Sequence, residues 1–350
     1  MAGSGQQVKP YSGAGVGPRD GDNDGVMRAL VLGCGSIGAR HARNLVSLNI
    51  ETAISDPDEQ RARALALEIG ADVVFDRETS LADVVVVATP TIEHAADLEW
   101  SLERGHHTFI EKPLAANRAG VAQALAAAGR SDRVAMVACN LRFSDGYRVL
   151  REHLPGAGRI VSISADFGWY LPAWRPSTDY SVSYSARRDL GGGVILDAAI
   201  HELDYVIDLA GPVSSVSGLW SASQSLGIEV EDDAEMQLRH VNGCISRVHV
   251  DYLRRIYTRQ CTLVGSDGTL VWDFAAGTVM LSREADAEST SITGLDSDRN
   301  AMYVREMQHF VDAVASGHGT LNDVPRAAAT TAVALQVLEQ GSGGGTSATL

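Results

Sequence analysis

The chain has 350 residues, 45% of them hydrophobic, and a formal charge of −15. That length can bury a sizeable core and points to two domains, while the acidic balance argues against nucleic acid, whose phosphates require a concentrated basic surface. No apolar run reaches a membrane-spanning length and the first residues lack an apolar signal core, so a cytoplasmic protein without a membrane partner is expected.

Residues 1–25 are rich in Gly, Ser, Asp and Asn and read as a flexible tail, as do residues 341–350. Between them, residues 26–141 alternate strand and helix: strand Arg28 to Leu32, a helix to about Leu48, strand Glu51 to Ser55, helix Pro57 to Ile69, and short strands Asp72 to Phe75 and Val84 to Ala88. Helix Glu93 to Arg104, strand His107 to Ile110, helix Ala119 to Ala128 and strand Val134 to Cys139 follow. Repeated units of this length imply a mostly parallel sheet covered on both faces.

Residues 142–340 change rhythm. A helix over 142–153 and a strand ending at Phe167 precede an irregular stretch, Gly168 to Leu190, and one helix from Gly193 to Leu209. Strands then cluster: Val213 to Ser221, Asp233 to His240, Gly243 to Leu253, Thr258 to Val264, Thr269 to Phe274 and Thr278 to Ser282. Helices near Ala301 to Ser316 and Pro325 to Glu339 close the chain, the last of them placed to pack back on the first domain. The expected fold class is α/β: an N-terminal Rossmann dinucleotide-binding domain plus a C-terminal α+β domain with a large open, mainly antiparallel sheet.

Gly33-Cys34-Gly35-Ser36-Ile37-Gly38 is a G-x-G-x-x-G turn between a strand and a helix. Gly33 permits the tight turn, Gly35 lets a pyrophosphate approach the backbone, and Gly38 permits close helix–strand packing. Free amides at the helix start suit phosphate charge, and Ser36 and Ile37 lie among them. Asp56, at the end of the next strand, can accept hydrogen bonds from both ribose hydroxyls and would repel a 2′-phosphate. NAD is therefore favoured over NADP, although Arg61 could sit near the ribose; taken alone, Asp56 could also be an ordinary helix cap. Ala88-Thr89-Pro90 ends a strand where the sheet's carboxyl edge should hold cofactor, and His94 begins the next helix as a cap or supporting contact.

Among the 29 basic residues only Lys9 and Lys112 are lysines. Lys112 lies in Phe109-Ile110-Glu111-Lys112-Pro113-Leu114, at the end of a nucleotide-domain strand, which puts Glu111 and Lys112 at the cofactor edge. Farther on, Gly191-Gly192-Gly193 leads to Asp197 and His201, four residues apart and so on one face of a helix. A buried core network between the two is the plain alternative. His201, Asp204 and Asp208 also allow a metal reading, but hydride transfer to nicotinamide needs no metal and none is expected. The four cysteines match neither a zinc site nor a redox pair, which fits reduced thiols.

Together the glycine turn, the Glu-Lys-Pro turn and the G-G-x-x-x-D-x-x-x-H helix resemble the Gfo/Idh/MocA family; Thr89-Pro90 with His94, and Asn140-Leu141-Arg142-Phe143, add to the likeness over about residues 27 to 340. The resemblance implies NAD(P)-dependent chemistry on sugars or cyclitols, with Lys112 as active-site lysine, Asp197 as substrate-orienting acid and His201 as acid/base histidine. It further implies a Lys112-Pro113 bond that is often cis. An open C-terminal sheet that supports a homodimer or homotetramer is implied as well. The chemistry agrees: oxidising a secondary alcohol needs a base for the hydroxyl proton, which a neutral histidine can be, and a donor such as Lys112 for the developing alkoxide. Asp197 could orient His201 and favour its protonated form, or bind a neighbouring hydroxyl.

The irregular stretch is the expected substrate wall. Trp169, Trp174, Tyr180 and Tyr184 offer flat surfaces to a sugar or cyclitol ring, and Arg175, Arg187 and Arg188 offer donors. The same aromatics could equally fasten the loop or an oligomer contact. Arg142 and Tyr252 are further pocket candidates. The expected function is an NAD-dependent dehydrogenase or ketoreductase of a sugar, amino sugar, nucleotide sugar or cyclitol. Internal redox with tightly bound NAD, or a non-catalytic sensor on the same fold, remains an alternative.

Overall fold

The computed structural model describes residues 27–283, 289–341 and 348–349. The tail expected over 1–25 lies outside the described residues, as does most of 341–350. Ala348–Thr349 (β15) departs from the tail reading, since it pairs antiparallel with the edge strand Val213–Ser221 (β8) and meets otherwise open ladder groups.

The first sheet forms because apolar runs of strand length alternate with amphipathic helices. Its strands are Arg28–Leu32 (β1), Glu51–Ser55 (β2), Asp72–Val73 (β3), Val84–Val87 (β4), His107–Ile110 (β5) and Ala135–Val137 (β6). Every pairing is parallel, in the order β3-β2-β1-β4-β5-β6. Helices Ser36–Ser47 (α1), Glu59–Ile69 (α2), His94–Glu103 (α3) and Arg118–Gly129 (α4) make the crossovers. Both faces are covered, so β4 is buried at all four valines, as an unbroken apolar run requires. The chain reverses direction across the sheet between β1 and β4, and there the strands' carboxyl ends open a crevice.

The second sheet runs β14-β13-β12-β11-β7-β10-β9-β8-β15. Its members are Ile160–Gly168 (β7), β8, Asp233–His240 (β9), Ile245–Asp251 (β10), Thr258–Gly265 (β11), Gly268–Asp273 (β12), Thr278–Arg283 (β13), Thr290–Ile292 (β14) and β15. All pairings are antiparallel except that of β7 with β10, where the first strand of the domain inserts at the centre. One face alternates into the core through Ile163, Ala165 and Phe167 of β7 and Val248 and Val250 of β10. Asp145–His153 (α5) and Ile200–Ala210 (α6) pack on that sheet. Ala301–Ser316 (α7) packs on α1, while Val324–Gln340 (α8) packs on α4 and β6 as well as on α6 and β8, knitting the two halves together.

Several boundaries differ from the sequence reading. The helix expected over 142–153 starts only at Asp145, because Asn140–Phe143 forms a 3₁₀ turn and the Ser144 hydroxyl caps α5 by accepting from Tyr147 N–H. The single helix expected from Gly193 to Leu209 is two pieces: a π-helical turn, Ile195–Ala199, leads into α6. Such wide turns insert an extra residue and re-aim the side chains beyond it, often beside functional sites. The strand expected over Asp72 to Phe75 keeps only two residues, and β14 carried too weak a pattern to expect.

Candidate active site

The crevice at the carboxyl ends of β1 and β4 widens into a cleft of about 740 Å³ that runs to the π-helical turn and α6. At its first end Gly33, with φ +92°, turns the chain out of β1; a Cβ there would lie 2.5 Å from the Ala88 carbonyl. Gly38 is pinned just as tightly, for an added Cβ would sit 1.9 Å from the Gly33 carbonyl. Gly35 faces open space, with nothing within 4 Å of an added Cβ. The first turn of α1 contains no acidic residue, so its amides present an unopposed positive pole. This is a cradle that a dinucleotide pyrophosphate fits.

Asp56 closes the cradle. Its Oδ2 accepts from the Cys34 N–H at 2.6 Å and its Oδ1 from the Asp58 N–H at 2.8 Å, which fixes the carboxylate at the cleft wall. Arg61 approaches Asp56 at 3.5 Å and Asp58 at 3.2 Å, so its charge is already shared by two carboxylates. Ser36, Ile37, Ala88, Thr89, Pro90, Glu111 and Lys112 line the same cleft. His94 reaches it too, but braces the wall: Nδ1 lies 2.7 Å from the Pro113 carbonyl and Nε2 2.9 Å from the Thr89 carbonyl. Burial pushes its pKa down, and a neutral ring donates to only one of the two.

The far end brings Lys112, Asp197 and His201 together. Lys112 lies two residues beyond β5, and the Lys112–Pro113 peptide that follows it is cis. Its neighbour Glu111 is buried, accepts from Lys112 N–H and pairs with the buried His41 Nε2 at 2.7 Å. Burial opposes the Glu111 charge, but His41, Lys112 and His94 together outweigh it and hold the carboxyl below its ordinary range. Lys112 Nζ donates at 2.9 Å both to Asp197 Oδ1 and to the Asp197 backbone carbonyl. Ser185 Oγ and Tyr252 Oη donate to Asp197 Oδ2 at 2.6 and 3.1 Å. Burial again opposes ionisation, and Lys112 with these donors overcomes it, so Asp197 sits below the usual carboxylate range.

His201 titrates well below an ordinary histidine, because of burial first and then the Lys112 and Arg259 charges. One expectation needs correction here. Asp197 makes no hydrogen bond to His201: its side-chain oxygens accept from Lys112, Ser185 and Tyr252. The π-helical turn has shifted the phase on which a regular one-turn spacing relied.

Fewer residues of the irregular stretch reach the cleft than expected. Trp174, Arg175 and Tyr184 line the cleft, with Arg175 donating to Ser36 Oγ at 2.8 Å and the Tyr184 hydroxyl 2.6 Å from Thr91 Oγ1. Trp169 stands behind Trp174, stacked at 5.4 Å, and does not line the cleft. Tyr252 is fully buried and works on Asp197, away from the open space. Tyr180 donates to the Leu226 carbonyl, Arg187 pairs with Asp189, and Arg188 donates to the Glu229 carbonyl. Those aromatics and arginines fasten the loop.

Arg142 is also misplaced by the sequence reading. It is buried at the domain junction, where Nε and Nη2 each donate to Asp204 at 2.7 Å and Nη1 donates to Asp208 at 3.0 Å. This pairing also occupies the two aspartates of the metal reading, and no metal-holding cluster occurs among the described residues. Arg142→Ala is expected to cost about 3–5 kcal/mol by stranding a buried carboxylate, which urea unfolding will read. A loss under about 1 kcal/mol would contradict it.

Ser185, Arg40 and Tyr303 line the cleft although the sequence does not mark them, and so does Asn140 of the Asn140-Leu141-Arg142-Phe143 motif. Ser185 adjoins Tyr184 in the irregular stretch, and that adjacency is its one signal in the sequence. Tyr303 on α7 and Arg40 on α1 carry no local signal, since the Arg40 guanidinium stacks 4.4 Å from the Tyr303 ring across the fold.

Residues 27–139 match the profile of the oxidoreductase family with an NAD-binding Rossmann fold, and residues 156–271 match the Gfo/Idh/MocA C-terminal domain. Myo-inositol 2-dehydrogenase of Thermotoga maritima is 27% identical over 311 residues, 83% of this chain and 89% of that one. UDP-N-acetylglucosamine 3-dehydrogenase of Acidithiobacillus ferrooxidans is 24% identical over 324 residues, 89% and 96% of the two chains. A levoglucosan dehydrogenase solved with NADH and levoglucosan shares the fold, with a TM-score of 0.83 at 19% identity over 92% of this chain and 99% of that one. Cradle, cleft and both domain matches agree, and the chain belongs to the Gfo/Idh/MocA family of NAD-dependent oxidoreductases.

Proposed function

We propose that the protein is an NAD-dependent dehydrogenase or ketoreductase of a secondary alcohol or ketone on a sugar, amino sugar, nucleotide sugar or cyclitol ring. The observation that carries this is that Lys112 and His201 line one cleft together with the phosphate cradle and Asp56. When bound, NAD supplies the hydride-exchanging ring. Gly33, Gly35, Ser36 and Ile37 would hold its pyrophosphate and Asp56 its ribose, with Ala88, Thr89 and Pro90 along the edge. Lys112 donates to the reacting oxygen and stabilises its developing charge. His201, neutral at working pH, accepts the hydroxyl proton and returns it in the reverse direction. Asp197 fixes the Lys112 ammonium and accepts from a neighbouring substrate hydroxyl, while Trp174, Arg175 and Tyr184 face the ring.

A panel of sugars, cyclitols, uronates and nucleotide sugars, read at the NADH absorbance band, tests the reading. Tight NAD binding with no turnover of any member in either direction would reject it in favour of a sensor. Asp56→Ala is expected to weaken NAD binding about tenfold or more, the worth of hydrogen bonds to a charged group; unchanged affinity by titration would remove Asp56 from the ribose site.

The reading extends to a homodimer or homotetramer through the second sheet. Its outward face carries exposed Leu219, Ile245, Val264 and Met280 beside ion pairs of Arg247 with Glu235 and Asp166, and sedimentation of the full chain measures the state. A cytoplasmic setting is supported by four buried, unpaired cysteines.

A further inference from the structure

We infer that Glu231 is a positioning residue for the proposed site: a buried carboxyl that fixes the first residues of the turn carrying Asp197 and leading to His201. This rests on the catalytic reading above.

Glu231 comes from the connection between β8 and β9, remote in sequence from the turn it serves, and only 1% of it is exposed. Its backbone carbonyl accepts the Val194 N–H at 3.0 Å. Its side-chain Oε1 accepts the Ile195 N–H at 3.2 Å. These amides belong to the first residues of the π-helical segment, whose early N–H groups have no partner within the helix. One residue thus satisfies two consecutive orphan donors. Gly193 lets it come so close. It holds φ +113°, and a Cβ there would lie 2.2 Å from Glu231 Oε1. The Gly193 carbonyl accepts the Asp197 N–H at 2.9 Å, so the carboxyl, Gly193 and Asp197 form one connected strut.

A helix cap would normally be met by a Ser, Thr, Asp or Asn in the same segment. Here it is met from another strand connection by a carboxyl that carries a cost. Glu231 Oε2 has no hydrogen-bond partner. The nearest cation, Arg188, is exposed and 3.9 Å away. Burial pushes the Glu231 pKa to about 7, with Asp232 adding to the rise and the Ile195 N–H and Arg188 opposing it. Tyr184, Tyr252 and Asp197 complete the charged and titratable surroundings; Glu231 and Asp197 both raise the two tyrosines. A carboxyl raised this far lies next to the turn that carries Asp197 and leads to His201. An ionised acceptor grips the Ile195 N–H more strongly than a protonated one.

Two variants of the full-length enzyme test this. Glu231→Gln keeps an acceptor for Ile195 N–H and removes the titration. It should fold, retain kcat within about threefold, and lose a limb near pH 7 from the kcat profile. Glu231→Leu removes the acceptor and should lower kcat about tenfold or more, with NAD affinity and KM within about twofold of the parent. Partial rescue by Gln over Leu marks a positioning role, which plain destabilisation would not give. The inference is overturned if the Gln variant keeps the parent's pH profile, or if a folded Leu variant turns over normally. Should the Leu variant fail to fold, the Gln profile alone decides. Failure of Lys112 and His201 variants to affect turnover would instead reject the underlying catalytic reading.

Discussion

Lys112→Met is expected to lower kcat by at least about 100-fold, equivalent to about 2.7 kcal/mol of transition-state stabilisation, while leaving NAD affinity nearly intact. Methionine keeps the unbranched stem and removes the charge. The lost ammonium has two partners at 2.9 Å, the Asp197 carboxylate and carbonyl, and would donate to the reacting oxygen. Asp197 would then be buried with only the Ser185 and Tyr252 hydroxyls, and would take up a proton more readily. Substrate orientation should suffer along with oxyanion stabilisation, so KM rises too. The phosphate cradle is at the other end of the cleft and has no bond to Lys112. Stopped-flow turnover and NAD titration on the same preparation separate the two terms. Near-normal kcat would remove Lys112 from catalysis.

His201→Asn is expected to cost about 10²- to 10⁴-fold in kcat, the usual contribution of a positioned acid/base group. The pH dependence gives a sharper test. A histidine accepts a proton only when neutral, and burial with the Lys112 and Arg259 charges holds this one well below its ordinary range. Alcohol oxidation should therefore remain active below the pH at which an ordinary histidine would switch it off. Its acid limb in kcat/KM should lie under about 6.5. The reverse direction, which needs the protonated ring, should demand correspondingly lower pH. Removing the Lys112 charge takes away one depressing cause, so the limb should move up in Lys112→Met, wherever residual turnover can be followed. A kcat/KM limb at or above the ordinary histidine value that persists in Glu231→Gln would contradict this assignment.

What could be read from the sequence followed the range of the interactions. The glycine turn was legible because its strand, turn and helix start are adjacent, and the same holds for Asp56 one strand farther on. The alternating β9 and β10 were legible because burial on one face writes a period of two. Pairing was not: β7 sits beside β10 and β11, and nothing in its own residues says so. Arg142 looked like a pocket arginine because its two aspartates lie 62 and 66 positions away. Tyr252 and Trp169 were chosen for side-chain chemistry, yet depth in the fold decides whether an aromatic meets ligand or supports a neighbour. The π-helical turn had no sequence signature at all. It lies beside the close approach of Gly193 and Glu231, and within it Asp197 bonds Lys112 and not His201.

The Lys112–Asp197 bond joins the loop after β5 to the π-helical turn ahead of α6. Recombination of enzymes built this way is constrained accordingly. A chimera that takes residues 27–141 from this chain and the remainder from a relative must also bring matching counterparts of Ser185, Tyr252 and Glu231, or it inherits a lysine without a seat. Exchanging only the wall around Trp174 and Arg175 leaves that bond untouched. Altered substrate range is therefore best sought in that wall, with the seam between the halves kept whole.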